Sequence, residues 1–207
     1  MFKVFQKGLF TGLFLQLAVG PVFFFITSLT AQKGFLNGAA GVLAVTAVDY
    51  FYIILSIFGI GKILEKKRAK NVFGIIGAIV LVIFGLIILK EAVYNTTVNA
   101  NYNSLNLFSS FMSVLLLTLS SPMTIIFFTS IFATKAIENK LTKKELYAFG
   151  FGTGMATFLF MGSFVIIFSL VKGFIPILLI QFLNVAVGFL LVMYGIVRCI
   201  KIIKNKN

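Results

Sequence analysis

Six stretches of this chain run for roughly 20 or more residues with scarcely a charge, and that pattern points to a bilayer. Uncharged runs cover 8–32, 71–89, 146–171 and 173–197, and 34–61 carries Asp49 as its only charge. The long run 92–134 opens with the polar stretch Asn95–Ser104 and becomes apolar enough to span only from about Leu105. Each is near the ~20 residues that a bilayer requires. Only helices or closed barrels satisfy backbone hydrogen bonds in lipid, and continuous rather than alternating apolarity selects helices. The expected fold is an all-α integral membrane protein with six transmembrane helices, a single transmembrane domain over residues 1–207.

The rest of the composition removes other classes. The chain is 60% hydrophobic and only 11% charged, far more apolar than a soluble domain of this length needs. Its 18 Lys and Arg outnumber 5 acids, yet they sit in short clusters between apolar runs. Nucleic-acid binding would want a continuous basic face, so no nucleic-acid partner is expected. With no His, neither a His-based metal site nor a Ser-His-Asp relay can be built. Cys199 is the single cysteine, so no disulfide or dithiol pair forms, and Asp49 is the sole Asp, which excludes a two-aspartate protease. No metal site, cofactor or enzymatic activity is expected. The N-terminal apolar run is too long for a signal peptide and lacks a small-x-small cleavage site, so it reads as a retained first span.

Orientation follows from the cations. With the N-terminus inside, the inner segments hold Lys3 and Lys7, then Lys62, Lys66, Lys67, Arg68 and Lys70, then Lys135, Lys140, Lys143 and Lys144, then Arg198, Lys201, Lys204 and Lys206. Only Lys33, Lys90 and Lys172 remain outside, so the positive-inside rule predicts cytoplasmic termini. The plain reading of the basic loops is topology and contact with anionic lipid.

Sliding the chain against itself by 101 residues brings Pro21 onto Pro122 and Gly20 onto Ser121. The same shift sets Gly8 and Gly12 on Ser109 and Ser113, and one step further Thr27-Ser28 meets Thr129-Ser130. Three spans per half then predict two inverted three-helix repeats, about 1–100 and 101–207, with interruptions at matching prolines. A proline lacks an N–H and disturbs the turn before it, freeing carbonyls near mid-membrane for a cation, an ammonium group or water. Kinks satisfied by neighbouring hydroxyls, such as Ser120 and Ser121, are the plainer alternative.

Asp49 is the first residue to suspect of function. A charged Asp near the centre of a span costs roughly 2.5–3.5 kcal/mol on insertion scales, so such residues usually face a cavity, a partner or an ion path. Burial disfavours a carboxylate unless a cation is close, and no Lys or Arg lies within the spans as expected. Asp49 therefore suits either proton carriage or a cationic group of the substrate. Thr46, Asp49, Tyr52 and Ser56 share a helix face, with Gly38 and Gly41 on the same side. The first span offers Gly8, Gly12, Gln16 and Gly20 at four-residue steps, and the sixth offers Gln181, Asn184 and Gly188. Packing between helices accounts for the glycines, and either packing or substrate lining accounts for Gln16, Gln181 and Asn184. Asn95-Thr96-Thr97 matches a glycosylation sequon, a triplet common by chance.

Gly8-x3-Gly12, Val19-Gly20-Pro21, Lys33-Gly34, Gly38, Gly41 and Asp49-x9-Gly59 together resemble the lysine exporter (LysE) family of bacterial amino-acid efflux transporters. Gly-Pro in the first span, and an Asp ten residues before a Gly in the second, are most similar to the basic amino-acid branch. Pro122 falls where the family usually has Asn-Pro, and Val22-Phe23 stand where that branch has polar residues. The resemblance implies efflux of an amino acid or similar solute across a bacterial plasma membrane, driven by membrane potential or an ion gradient. Asp49 would be the proton or ammonium site, with Gly20-Pro21 and Ser121-Pro122 supplying backbone carbonyls. The alternatives are a metal or other cation exporter of the same superfamily, and a membrane scaffold without transport. The partners expected are a small solute and the bilayer, and the chain is compatible with a homo-oligomer.

Overall fold

The computed structural model describes residues 1–17, 20–59, 67–94, 107–138, 141–171 and 177–204. These form eight helices in the order α1 (Phe2–Gln16), α2 (Pro21–Lys33), α3 (Phe35–Ile57), α4 (Lys67–Tyr94), α5 (Leu107–Leu119), α6 (Pro122–Glu138), α7 (Lys143–Val171) and α8 (Ile177–Lys204). No strand occurs among the described residues. The Asn95 sequon and the loop positions Lys62, Lys66, Lys140 and Lys172 lie outside them.

The first and fourth apolar segments are each broken in two. α1 and α2 meet at 80° and α5 and α6 at 62°, so these are breaks rather than mild kinks. Pro21 and Pro122 open α2 and α6. At the first helical position the missing N–H would be an orphan anyway, so the proline starts a helix instead of spoiling one. Gly20 before it is extended, with φ −112° and ψ 178°. Gly34 turns the chain from α2 into α3 at a φ of 87°, a region that a side chain would strain. α7 starts with a capping box, in which the Thr142 N–H donates to Glu145 Oε2 at 2.9 Å and the Glu145 N–H to Thr142 Oγ1 at 3.4 Å.

Close helix approach comes from residues without side-chain bulk. α1 lies on α7 so tightly that a Cβ at Gly8 would strike the Phe149 carbonyl, and one at Gly12 would lie 2.6 Å from Ala156 Cβ. α4 and α8 pair in the same manner, with a Cβ on Gly85 2.7 Å from the Gly188 carbonyl oxygen. On the other side, Ser110 Oγ donates to Asn37 Oδ1 at 2.7 Å, and Val114 sits over Gly41, joining α5 to α3. Ser109 is exposed and Ser113 only half-buried, so the residues that face α3 lie one place later than the uniform 101-residue shift puts them. The rotation of α5 about its own axis decides this, and the prolines alone keep the original register.

The contacts exchange between halves. α1 packs on α7 as α5 packs on α3; α2 meets α3 and α7 as α6 meets α7 and α3; and α3 with α7, like α4 with α8, pair with each other. Three helices are long and apolar enough by themselves to cross a bilayer, and five spans result when each broken pair counts as one. The remaining expected span falls on α4, whose apolar stretch Gly74–Lys90 is shorter.

Candidate functional site

The two breaks open onto one cavity of about 310 Å³. Gln16, Gly20, Pro21, Val22 and Phe23 line it from the first break, and Thr118, Ser121 and Thr124 from the second. Asp49 and Val45 close it from α3, Met161 from α7 and Phe127 and Phe128 from α6. Asp49, Gln16, Gly20, Pro21 and Ser121, set apart in the sequence as candidates, thus share one wall system. Pro122 opens α6 beside Ser121, and nothing is described of its side chain. Gln16 ends α1, so Gly20 lies beyond the break and does not continue the Gly8–Gly12–Gln16 face.

Asp49 is 4% exposed. Its Oδ2 accepts a hydrogen bond from Thr157 Oγ1 at 2.7 Å, and that hydroxyl accepts one from Gln16 Nε2 at 2.6 Å. A relay therefore links the end of α1 through α7 to the carboxylate on α3. Thr157 was not singled out in the sequence. Its signal was the small and polar face Gly150, Thr153, Gly154 and Thr157 on α7, at the spacing that marked Thr46 to Ser56 on α3.

The rest of the α3 face binds the broken segments. Tyr52 Oη donates at 2.9 Å to the carbonyl of Leu119, the last residue of α5. A helix end leaves such carbonyls without partners, so this phenol answers one orphan that the break creates. Ser56 Oγ and Thr129 Oγ1 of α6 lie 3.2 Å apart. Ser120 Oγ donates back to the Leu116 carbonyl at 2.6 Å, which already accepts the Ser120 N–H at 3.0 Å, so this hydroxyl answers no carbonyl that the break frees.

The other candidates lie off this cavity. Asn184 Oδ1 accepts from Ser28 Oγ at 2.6 Å and from Gln32 Nε2 at 2.8 Å, a buried cluster between α8 and α2. Gln181 is half-buried one turn earlier on α8. Thr46, one turn from Asp49, holds a buried hydroxyl without a hydrogen-bond partner, alone in this among the described side chains. Every other buried Ser or Thr hydroxyl described has one.

Much of the cavity wall is apolar. Phe23 makes an edge contact with Phe164 of α7 at a centroid distance of 4.9 Å and lies 6.2 Å from Phe160. The departure at Val22-Phe23 thus becomes an aromatic flank of the site. The cavity holds one carboxylate, uncharged hydrogen-bonding groups and two helix starts, which suits a small polar solute better than covalent chemistry.

The profile of LysE type translocators matches residues 13–201, which is most of the chain. No curated protein and no solved structure matches it. With its all-helical spans and a cavity at two interrupted helices, the chain belongs to the LysE type translocator family, whose members are membrane transporters of amino acids or related solutes rather than enzymes.

Proposed function

We propose that this protein exports an amino acid with an uncharged side chain across the plasma membrane through the cavity at the two helix breaks. The observation that carries the reading is that Asp49 and the starts of two half-helices meet at one cavity. A helix start carries a partial positive charge and unsatisfied N–H groups, and no side chain caps α2. The α-carboxylate of the solute lies against these starts and its ammonium against Asp49, a division of labour that broken membrane helices favour. One carboxylate matches one cation, and Val22, Phe23, Val45 and Met161 leave apolar space for the side chain. Gln16, Ser121 and the backbone at Gly20-Pro21 and Pro122 complete the site. Thr46, one turn from Asp49 on α3, lies off the cavity with its buried hydroxyl unpaired, and Asn184 ties α8 to α2 through Ser28 and Gln32.

The chain crosses the membrane six times, as two inverted three-helix repeats with both termini cytoplasmic. The exchange of helix contacts between the halves supports the repeat, and the placement of the cations supports the orientation. One Asp, one Cys and no His make a poor ligand set for a transition metal, which ranks a metal exporter below this reading.

Cells overexpressing the chain, loaded with a panel of amino acids, test the reading. Efflux of leucine, methionine or a similar neutral solute is the expected result, with Asp49→Asn accumulating normally but losing efflux and Asp49→Glu keeping part of it. A neutral amide is easier to bury than a carboxylate, so a structural Asp would tolerate that change. Full transport by Asp49→Asn would move the function elsewhere, and export confined to lysine and arginine would refute the uncharged side chain.

A further inference from the structure

A second cavity, of about 390 Å³, lies between α1 and α6 and carries two cations. Lys7 and Thr11 of α1 and Lys135 of α6 supply its polar lining, and Phe10, Phe14 and Phe149 its aromatic walls. Among the described residues, no carboxylate lines it. Glu145, on the neighbouring α7, accepts hydrogen bonds from the Thr142 N–H and hydroxyl at 2.9 and 2.8 Å, so its carboxylate is engaged in the helix cap. Two like charges beside low-dielectric aromatic walls repel each other unless an anion sits between them.

The place of this cavity follows from the exchange of contacts. α2 and α5 touch, and Val114, Ile26 and Leu29 converge over Gly41, where an added Cβ would lie 3.1, 3.3 and 3.7 Å from them. The counterpart of that contact in the other half would join α1 to α6, and among the described residues no comparable contact forms there. The α2 and α5 ends of the two broken segments therefore pack together, while the α1 and α6 ends hold the lysine-bearing cavity between them. The charge tally puts Lys7 and Lys135 on the cytoplasmic side. Gln16 of α1 and Phe128 of α6 line the central cavity, so the same two elements form both walls in sequence.

We propose that the cavity between α1 and α6, with Lys7 and Lys135 on its wall, is the cytoplasmic vestibule of the transport path and takes the carboxylate of the incoming solute. It rests on the export reading and on cytoplasmic termini, and it adds a first anion-binding station before Asp49. The conformation described is then one open to the cytoplasm and closed outside.

The chain has no Trp, so Phe14→Trp places a single fluorescent reporter on the vestibule wall. In phosphatidylcholine nanodiscs, sodium propionate should shift its emission saturably, while sodium chloride and propylammonium chloride at matched ionic strength should not. Lys7→Gln with Lys135→Gln should raise the half-saturating propionate concentration about tenfold or more, as loss of charge-assisted bonds predicts. Lys7→Arg with Lys135→Arg should restore the response, which shows that the variants fold. In efflux the Gln pair should raise KM and leave kcat largely unchanged.

An emission change that requires phosphatidylglycerol and ignores propionate makes the cavity a lipid headgroup site and overturns the proposal. No response to either, or an unchanged KM in the Gln pair, overturns it too. A wild-type chain that exports no amino acid, yet responds to propionate through the two lysines, sinks the export reading and upholds the anion site.

Discussion

Thr157 shows how much of a membrane site rests on one hydroxyl. It gives its proton to Asp49 Oδ2 and its lone pair to Gln16 Nε2, so a single atom ties three helices together. Thr157→Val keeps the shape and removes both bonds. A buried polar group left without its partner costs about 1–3 kcal/mol, and less where neighbours rearrange. The expected outcome is a protein that still inserts, with initial efflux rates several-fold below wild type, while Thr157→Ser stays near wild type. Equal rates for Val and Ser would show that Asp49 does not depend on the relay. Tyr52 works differently, since its bond to the Leu119 carbonyl repairs a broken helix end. Asp49 was legible in the sequence because a lone acid in an apolar run has few explanations. Its partner was not, because a Thr on a helix gives no sign of which neighbour it faces.

At the scale of the helix, glycine position matters more than glycine number. Gly8 and Gly20 look alike in the four-residue series of the first span, yet they do opposite things. A Cβ on Gly8 would meet Phe149 backbone atoms, its carbonyl carbon at 2.8 Å and Cα at 3.0 Å, whereas one on Gly20 would find nothing within 4 Å. Gly8→Ala should therefore force α1 off α7, at the roughly 1–3 kcal/mol typical of overpacking. Gly20→Ala should leave stability nearly unchanged. Thermal unfolding in detergent, followed by loss of the monodisperse peak, checks this. A Gly8→Ala protein as stable as wild type would mean that the two helices are not in backbone contact. The breaks were only half legible. The prolines marked where the second half-helix of each pair starts, but not how sharply the pairs bend, by 80° and 62°.

For the whole molecule, the inverted arrangement and the side each loop occupies are open to one experiment. In a Cys199-free background, Cys substituted for Lys66 or for Lys143 should resist membrane-impermeant thiol reagents applied from outside. Both should label after permeabilisation. Labelling of either position from outside would overturn the orientation, and with it the cytoplasmic assignment of the Lys7 and Lys135 vestibule. The exchange of contacts between halves fails at α1: α5 touches α2 and α4, whereas among the described residues α1 makes no comparable contact with α6 or α8.

The sequence by itself determined the solvent, the element type and the first suspect. Long uncharged runs admit little besides membrane helices, and clustered lysines predict an orientation, because each effect is a property of a segment and not of its neighbours. Asp49 and the two Gly/Ser-Pro pairs belong to the same local level, since burial of a charge and the start of a helix are decided within a few residues. Tertiary structure alone decided which polar groups share a cavity. Gln16 and Ser121 reach the Asp49 cavity while Asn184, as polar as either, turns to Ser28 and Gln32 in a separate cluster. Helix rotation and crossing set those choices, and they depend on side-chain volumes from several helices at once, such as Val114 over Gly41 and Ala156 against Gly12.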